Sequence, residues 1–213
     1  MTTATPTLTR IRTDRRIARA TGGAYLALAV VGMLGFLLVR PTARDSGDGI
    51  HLLLALELLV VVSQAAAAIG FYALFRRDRP VEAFAVAVLG MTNATAILAS
   101  AALITAAARL GVDDDAFPVL FGIADAFWDA GALFFGLWLI PMGSFVLVTS
   151  RMPRALGIVL VAGGGGYVLN AFLAIAAPAT PAWLGEVMVL PATVGELWML
   201  GYLLIRGIRA PRG

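Results

Sequence analysis

Six long apolar runs dominate the sequence. They cover roughly residues 21–39, 51–75, 82–108, 117–148, 155–177 and 187–205, with short polar connections between them. A helix needs about 20 apolar residues to cross the hydrocarbon core of a bilayer, which is about 30 Å thick. Each run is about that long or longer, and none shows the period-two alternation of a transmembrane β-barrel. We therefore predict an all-α, polytopic membrane protein: a single bundle of six transmembrane helices.

The composition supports this class and excludes several others. The chain of 213 residues is 60% hydrophobic and 14% charged, whereas a soluble domain is about 45–50% apolar and about 25% charged. The absence of cysteine excludes a disulfide scaffold, and the apolar content excludes a disordered chain. The arginines lie in short clusters at the ends of apolar runs rather than on one basic face. We therefore expect the lipid bilayer, and no nucleic acid, as partner.

The arginines also predict the orientation. Of the 16 arginines, 13 lie before the first run, between runs two and three, between runs four and five, or after run six. Arg40, Arg44 and Arg109 fall in the opposite connections, together with most of the acidic loop residues. The positive-inside rule then places both termini in the cytoplasm. We predict an arginine-rich tail over 1–19, a membrane bundle over 20–207 and a second tail over 208–213.

The segment 136–169 carries a recognisable pattern. It contains Pro141 and Gly143, then Arg151-Met152-Pro153-Arg154, then the glycine run Gly163–Gly166 followed by Tyr167. Together with the arginine-led start of the first run at 19–25, this pattern resembles the DUF4386 family of bacterial integral membrane proteins, which has no assigned activity. The resemblance lies mainly in the fourth and fifth runs. It implies six spans and a bacterial cytoplasmic membrane, and it carries over no catalytic residue.

Two features of that segment have structural interpretations. The fourth run, at 32 residues, is too long for one straight span, so we expect tilt, an interfacial first turn or a kink near Pro141. The glycines Gly163–Gly166 leave backbone without side chains within the membrane. This permits close approach of a neighbouring helix or of a ligand. The pattern leaves open whether such packing occurs within the chain or between subunits.

Four acidic residues lie within the predicted spans: Glu57 in the second, Asp125 and Asp129 in the fourth, and Glu196 in the sixth. Ionisable groups inside a membrane are costly and often mark functional sites. A rise of 1.5 Å per residue places all four in the extracytoplasmic half or near the midplane. Helical spacing sets them on stripes of small and polar residues. We therefore predict one polar cavity that opens toward the outside.

The cavity prediction assigns roles to nine residues. No basic residue lies deep in a predicted span, so we expect these carboxylates to lack a cationic partner and to favour the protonated form. Such groups can donate protons, and a cationic ligand would instead keep them charged. The alternative is that they only hydrogen-bond across helices. The candidate catalytic residues are Asp129, Glu196 and Asp125. The candidate ligand-binding residues are Glu57, which we expect to be wet, Gln64, Asn93, Asn170, Trp128 and Trp198.

The sequence excludes some chemistries and leaves three functions open. His51 is the only histidine and there is no cysteine, so we predict no haem, no zinc site, no cysteine nucleophile and no cofactor. The first function is a protein that binds or moves a small lipophilic or cationic molecule. The second is an intramembrane enzyme, such as an isomerase or cyclase, that uses a buried carboxylate as general acid or base. The third is a structural or accessory subunit. Assembly into a homo-oligomer is also left open.

Overall fold

A computed structural model describes the backbone of residues 5–177 and 179–209 and the side chains from residue 13 onward, except 178 and 182. Parts of the two predicted tails, residues 1–4 and 210–213, lie outside this range. Its elements are α1 (Thr5–Met33), a π-helical turn (Leu34–Val39), α2 (Arg40–Ser46), α3 (Ile50–Phe75), α4 (Pro80–Leu110), α5 (Ala116–Thr149), α6 (Arg154–Ala176) and α7 (Ala182–Ile205). The described residues contain no strand and six helices long and apolar enough to span a membrane. The prediction of an all-α, six-span membrane protein is confirmed.

The six spans form a closed ring. Each of α3, α4, α5 and α6 packs against the spans that precede and follow it in the sequence, and α7 closes the ring against α1. Part of the interior of the ring is filled by aromatic side chains that meet edge to face. Tyr25 lies 5.7 Å from Phe71 and 5.5 Å from Trp138, measured between ring centroids. This geometry is favourable for aromatic pairs.

One end of the ring carries most of the arginines and is called the arginine-rich end below. A single buried guanidinium joins its loops. Arg151, in the α5–α6 connection, pairs with Asp14 of α1 at 2.9 Å and with Asp78 of the α3–α4 connection. Its Nε also donates a hydrogen bond of 2.7 Å to the carbonyl of Arg209. Four separate parts of the chain are therefore held together at one side chain.

The glycine run packs within the chain. A Cβ atom on Gly163 would overlap the backbone of Ala192, and one on Gly166 would overlap the carbonyl of Met188, both in α7. Gly164 faces α5 instead, where a Cβ would lie 2.7 Å from a backbone carbonyl oxygen. Gly165 has open space around it. Three of the four glycines are therefore used to seat α6 between α5 and α7.

The first span is longer than its apolar run suggests. We predicted that it ends near residue 39, with Arg40 in a connection, but the helix continues through the π-helical turn and α2 to Ser46. Pro41 has no N–H to donate to the carbonyl four residues back, which disfavours regular α-helix there. The backbone N–H of Arg40 instead bonds the Gly35 carbonyl, five residues back. The extra residue in this turn changes the direction in which the following side chains point, and such turns are frequent at functional sites.

Candidate functional site

A cavity of about 410 Å³ lies inside the ring, and all six spans contribute to its wall. Much of the wall is aromatic, with rings from Phe36, Trp128, Phe135 and Tyr167. Its polar groups include the two acidic side chains Asp129 and Glu196, together with Tyr25, Asn93 and Thr193. A volume of this size suits a small organic ligand, since such sites run from about 300 to 1,000 Å³. The site is therefore an apolar, aromatic chamber with a few acidic and amide groups.

Glu196 is held by a hydrogen bond from the first span. The hydroxyl of Tyr25 donates to its Oε1 at 2.5 Å. The ring of Tyr25 is itself fixed by its edge contacts with Phe71 and Trp138. The carboxyl group of α7 is thus positioned by α1, on the side of the cavity nearest the aromatic core. Tyr25 was not among the predicted site residues, because its partner lies 171 residues away in the chain.

Asp129 is exposed to the cavity. Within the described part of the chain it forms neither a hydrogen bond nor an ion pair, and it lies one helical turn from Asp125 on α5. The preceding residue, Trp128, presents its ring to the cavity while its indole Nε1 donates to Glu57 at 2.9 Å. The free carboxylate and the aromatic face therefore lie side by side on the same helix.

The other two acids have cationic partners, which corrects the sequence prediction. Arg40 pairs with Glu57 and also with Asp125, where its Nε lies 2.8 Å from Oδ1. Arg44 pairs with the second carboxylate oxygen of Asp125. The expectation that no basic residue reaches these acids was wrong, because the helix continues past its predicted end and the π-helical turn directs Arg40 inward. Glu57 was expected to be wet, and it is instead fully buried.

Further contacts tie this cluster to the cavity wall. Ser100 donates a hydrogen bond of 3.3 Å to Glu57, and the Arg40 guanidinium lies 5.7 Å from the ring centroid of Trp128. A cation over an indole face is attracted by the ring quadrupole. A sequence signal for this cluster did exist. Arg40 and Arg44 are exceptions to the positive-inside pattern and stand four residues apart, which is one helical turn.

The remaining predicted residues divide between the cavity and other places. Asn93 is buried and lines the cavity. Gln64 is buried beside Gly90, and its amide has no hydrogen-bond partner among the described residues. Asn170 packs against Gly185 of α7, and Trp198 is well exposed and outside the cavity lining. The structure thus brings Asp129, Glu196, Asn93 and Trp128 to the cavity. It places Glu57 and Asp125 beside the cavity, where they form with Arg40 and Arg44 what is called the arginine cluster below.

Fold and site together define an integral membrane bundle of six helices around an acidic, aromatic chamber. The chain matches the sequence model of the family described as Domain of unknown function (DUF4386) over residues 20–207, and it belongs to that family. The resemblance seen mainly in the fourth and fifth runs is thereby confirmed, and it extends over all six spans. No curated protein and no solved structure matches the sequence.

Proposed function

We propose that this protein binds, and by binding stores or moves, a small lipophilic organic cation in the cavity of the ring. The main observation behind this proposal is a difference between two pairs of acids within the spans. Glu57 and Asp125 form ion pairs with Arg40 and Arg44, whereas Asp129 and Glu196 line the cavity and form no salt bridge with any described residue. A positively charged ligand would supply that missing charge.

The walls of the cavity suit the same ligand. A cationic group gains from the faces of Trp and Tyr rings, and that gain grows when water is excluded. Trp128 and Tyr167 offer such faces close to the two acids, and Phe135 adds apolar surface. An anion would meet two carboxylates here, and a strongly hydrated inorganic cation would meet too few oxygen ligands. A lipophilic ammonium or a related organic cation fits both the charge and the surface.

The location of the site follows from the arginines. Under the positive-inside rule the arginine-rich end is the cytoplasmic side, and the cavity extends from the level of Tyr25 and Glu196 toward the opposite, extracytoplasmic end. Together with the family, this favours a bacterial cytoplasmic membrane as the location of the protein. The ligand would then bind on the side of the membrane away from the cytoplasm.

A second candidate function rests on the short contact between Tyr25 and Glu196. A hydroxyl and a carboxyl group 2.5 Å apart in a cavity can pass a proton to a bound substrate. This would suit an acid–base reaction on a lipophilic substrate, such as an isomerisation. Conversion of a lipid extract by the wild-type protein, and not by Glu196→Gln, would favour this reading over binding alone.

The binding proposal is tested with a matched pair of probes. Phenylpropyl-trimethylammonium carries the charge, and the same molecule with a tert-butyl group in place of the ammonium is its neutral isostere. Affinities are measured by calorimetry on the purified protein in detergent. We expect the cation to bind more tightly than the isostere, with each of Asp129→Asn and Glu196→Gln weakening it about tenfold or more, a loss of about 1.4 kcal/mol.

The control variant is Glu186→Gln. It removes an exposed carboxylate from the same helix as Glu196, outside the cavity lining. This variant should bind the cation as the wild type does. Equal affinity for the cation and its neutral isostere would contradict the proposal, and an absence of binding by either probe would favour the accessory-subunit alternative.

A further inference from the structure

The mouth of the cavity lies on the lipid-facing side of the ring. Three large apolar residues of its lining are more than half exposed: Met33 at 61%, Leu37 at 57% and Leu197 at 59%. A residue that both lines a cavity and is largely exposed marks the place where that cavity opens. All three side chains are apolar and lie within spanning helices, so this opening faces hydrocarbon rather than water.

The mouth lies where the contact between α1 and α7 ends. Near the arginine-rich end these helices are in contact, with Gly22 packed against Leu203 and Leu204. Their contact continues as far as the hydrogen bond between Tyr25 and Glu196. Toward the opposite end, the exposed side chains Met33 and Leu37 of the first span follow instead.

Beyond Glu196, α7 is held by α6 rather than by α1. Gly163 and Gly166 of α6 bring the two backbones together at Ala192 and Met188. Asn170 continues the same contact at Gly185. The seam between the first and sixth spans is therefore closed in one half of the membrane and open in the other.

The route from the cavity to water at the end opposite the arginine-rich end is more crowded than the lateral route. Phe36 and Trp128 meet there with ring centroids 5.0 Å apart. Behind them stands the arginine cluster, with Arg40 tied to Glu57 and Asp125. An apolar ligand meets aromatic rings and paired charges on this route, and meets aliphatic side chains on the lateral one.

We infer that the ligand is a single-chain amphiphile with a cationic head, which reaches the cavity sideways from the bilayer between α1 and α7. This rests on the proposed function, and it adds the class of ligand and its path. The head binds beside Asp129 and Glu196, and the tail lies in the mouth between Met33 and Leu197. Charge complementarity selects the head, and the hydrocarbon around the mouth accommodates the tail.

The absence of cysteine permits a direct test, because introduced cysteines will be the only ones. Met33→Cys and Leu197→Cys are combined, and the protein is placed in lipid nanodiscs. A bifunctional methanethiosulfonate then bridges the mouth and is removed again by a reductant. The control is Leu58→Cys with Leu98→Cys, two half-exposed apolar positions on the neighbouring helices α3 and α4.

The probe is a dodecyl-trimethylammonium brominated at the end of its tail and delivered in the lipid. Trp183 and Trp198, which are exposed, are replaced by Phe. The two tryptophans that remain are Trp128 in the cavity wall and the fully buried Trp138, so contact quenching by a ligand in the cavity reports on Trp128. We expect bridging of the mouth to slow quenching at least about tenfold, the reductant to restore the rate, and the bridged control to keep its rate.

Each outcome has one meaning. An unchanged rate in the bridged protein overturns the lateral path while the proposed function stands. Failure of the unbridged protein to bind either this probe or phenylpropyl-trimethylammonium overturns the proposed function itself. If bridging abolishes binding of both cations at equilibrium, the bridge has damaged the site, and the pair Leu37→Cys with Leu197→Cys replaces the first pair in the same test.

Discussion

Arg40 in the first span and Glu57 in the second form an ion pair whose side chains are 5% and 1% exposed. Two charges removed from water this completely are costly unless each finds its partner. Here the guanidinium also reaches Asp125, and the carboxylate accepts further hydrogen bonds from Ser100 and Trp128. The pair therefore joins four spans at the end of the ring opposite the arginine-rich end.

Removal of one partner should be far more damaging than removal of both charges. Arg40→Met leaves Glu57 buried and unpaired, so we expect a loss of about 3–5 kcal/mol in the free energy of unfolding. The double variant Arg40→Met with Glu57→Leu should recover most of this loss, because neither charge is then stranded. Unfolding by SDS titration in mixed micelles measures both.

Arg44 provides the matched control for this test. Its side chain is about half exposed although it contacts the same Asp125. An exposed ion pair contributes little, so Arg44→Met should change the free energy of unfolding by about 0–1 kcal/mol. Equal losses in the free energy of unfolding for the Arg40 and Arg44 variants would show that burial does not increase the contribution of the Arg40 ion pairs.

Much of the fold was accessible from the sequence, and the arginine cluster was not. Hydropathy predicts the six spans because length and apolar content are local properties. The inward direction of Arg40 depends instead on one π-helical turn before Pro41, which shifts the helical register by a single residue. No count of apolar residues contains that information. The first span was therefore predicted to end too early, and Glu57 and Asp125 were predicted to lack a cationic partner.

The site was predicted in the same partial way. The cost of charge in a membrane identified Asp129 and Glu196, which do line the cavity. The same reasoning grouped Gln64 and Asn170 with them, because depth and helical face do not reveal which neighbour a side chain meets. Asn170 meets Gly185, a position whose missing side chain makes room for it. Contacts between distant helices decide such cases.

The glycine run offers a sharp comparison between neighbours. In Gly166→Ala the new methyl group would overlap a backbone carbonyl of α7, so the helices must separate. We expect a loss of more than about 2 kcal/mol in the free energy of unfolding. Gly165→Ala, which meets open space, should be neutral or stabilising by up to about 1 kcal/mol, because alanine favours helix. Similar effects at both positions would contradict the packing of α6 on α7.

Arg151 should be the most sensitive basic residue at the arginine-rich end. It is buried and pairs with Asp14 and Asp78, so Arg151→Met removes one ion-pair partner from each of two carboxylates and should cost about 3–5 kcal/mol. Arg154→Met, three residues away and exposed, should cost less than about 1 kcal/mol. The unfolding temperature in detergent compares the two. A small effect of Arg151→Met on stability would mean that water replaces the ion pairs of Arg151 in the variant.

Filling the cavity tests the role of its empty volume separately from the role of its two carboxylates. Ala132 lies on the cavity wall, and Ala132→Phe places a ring in the chamber while both carboxylates remain. We expect this variant to lose binding of phenylpropyl-trimethylammonium while its free energy of unfolding stays within about 1 kcal/mol of the wild type, since the ring fills existing space. Ala130→Phe is the control, because Ala130 is exposed on another face of α5 and should accept the ring without effect on binding. Undiminished binding by Ala132→Phe would place the cation outside the chamber, whatever the two acids contribute.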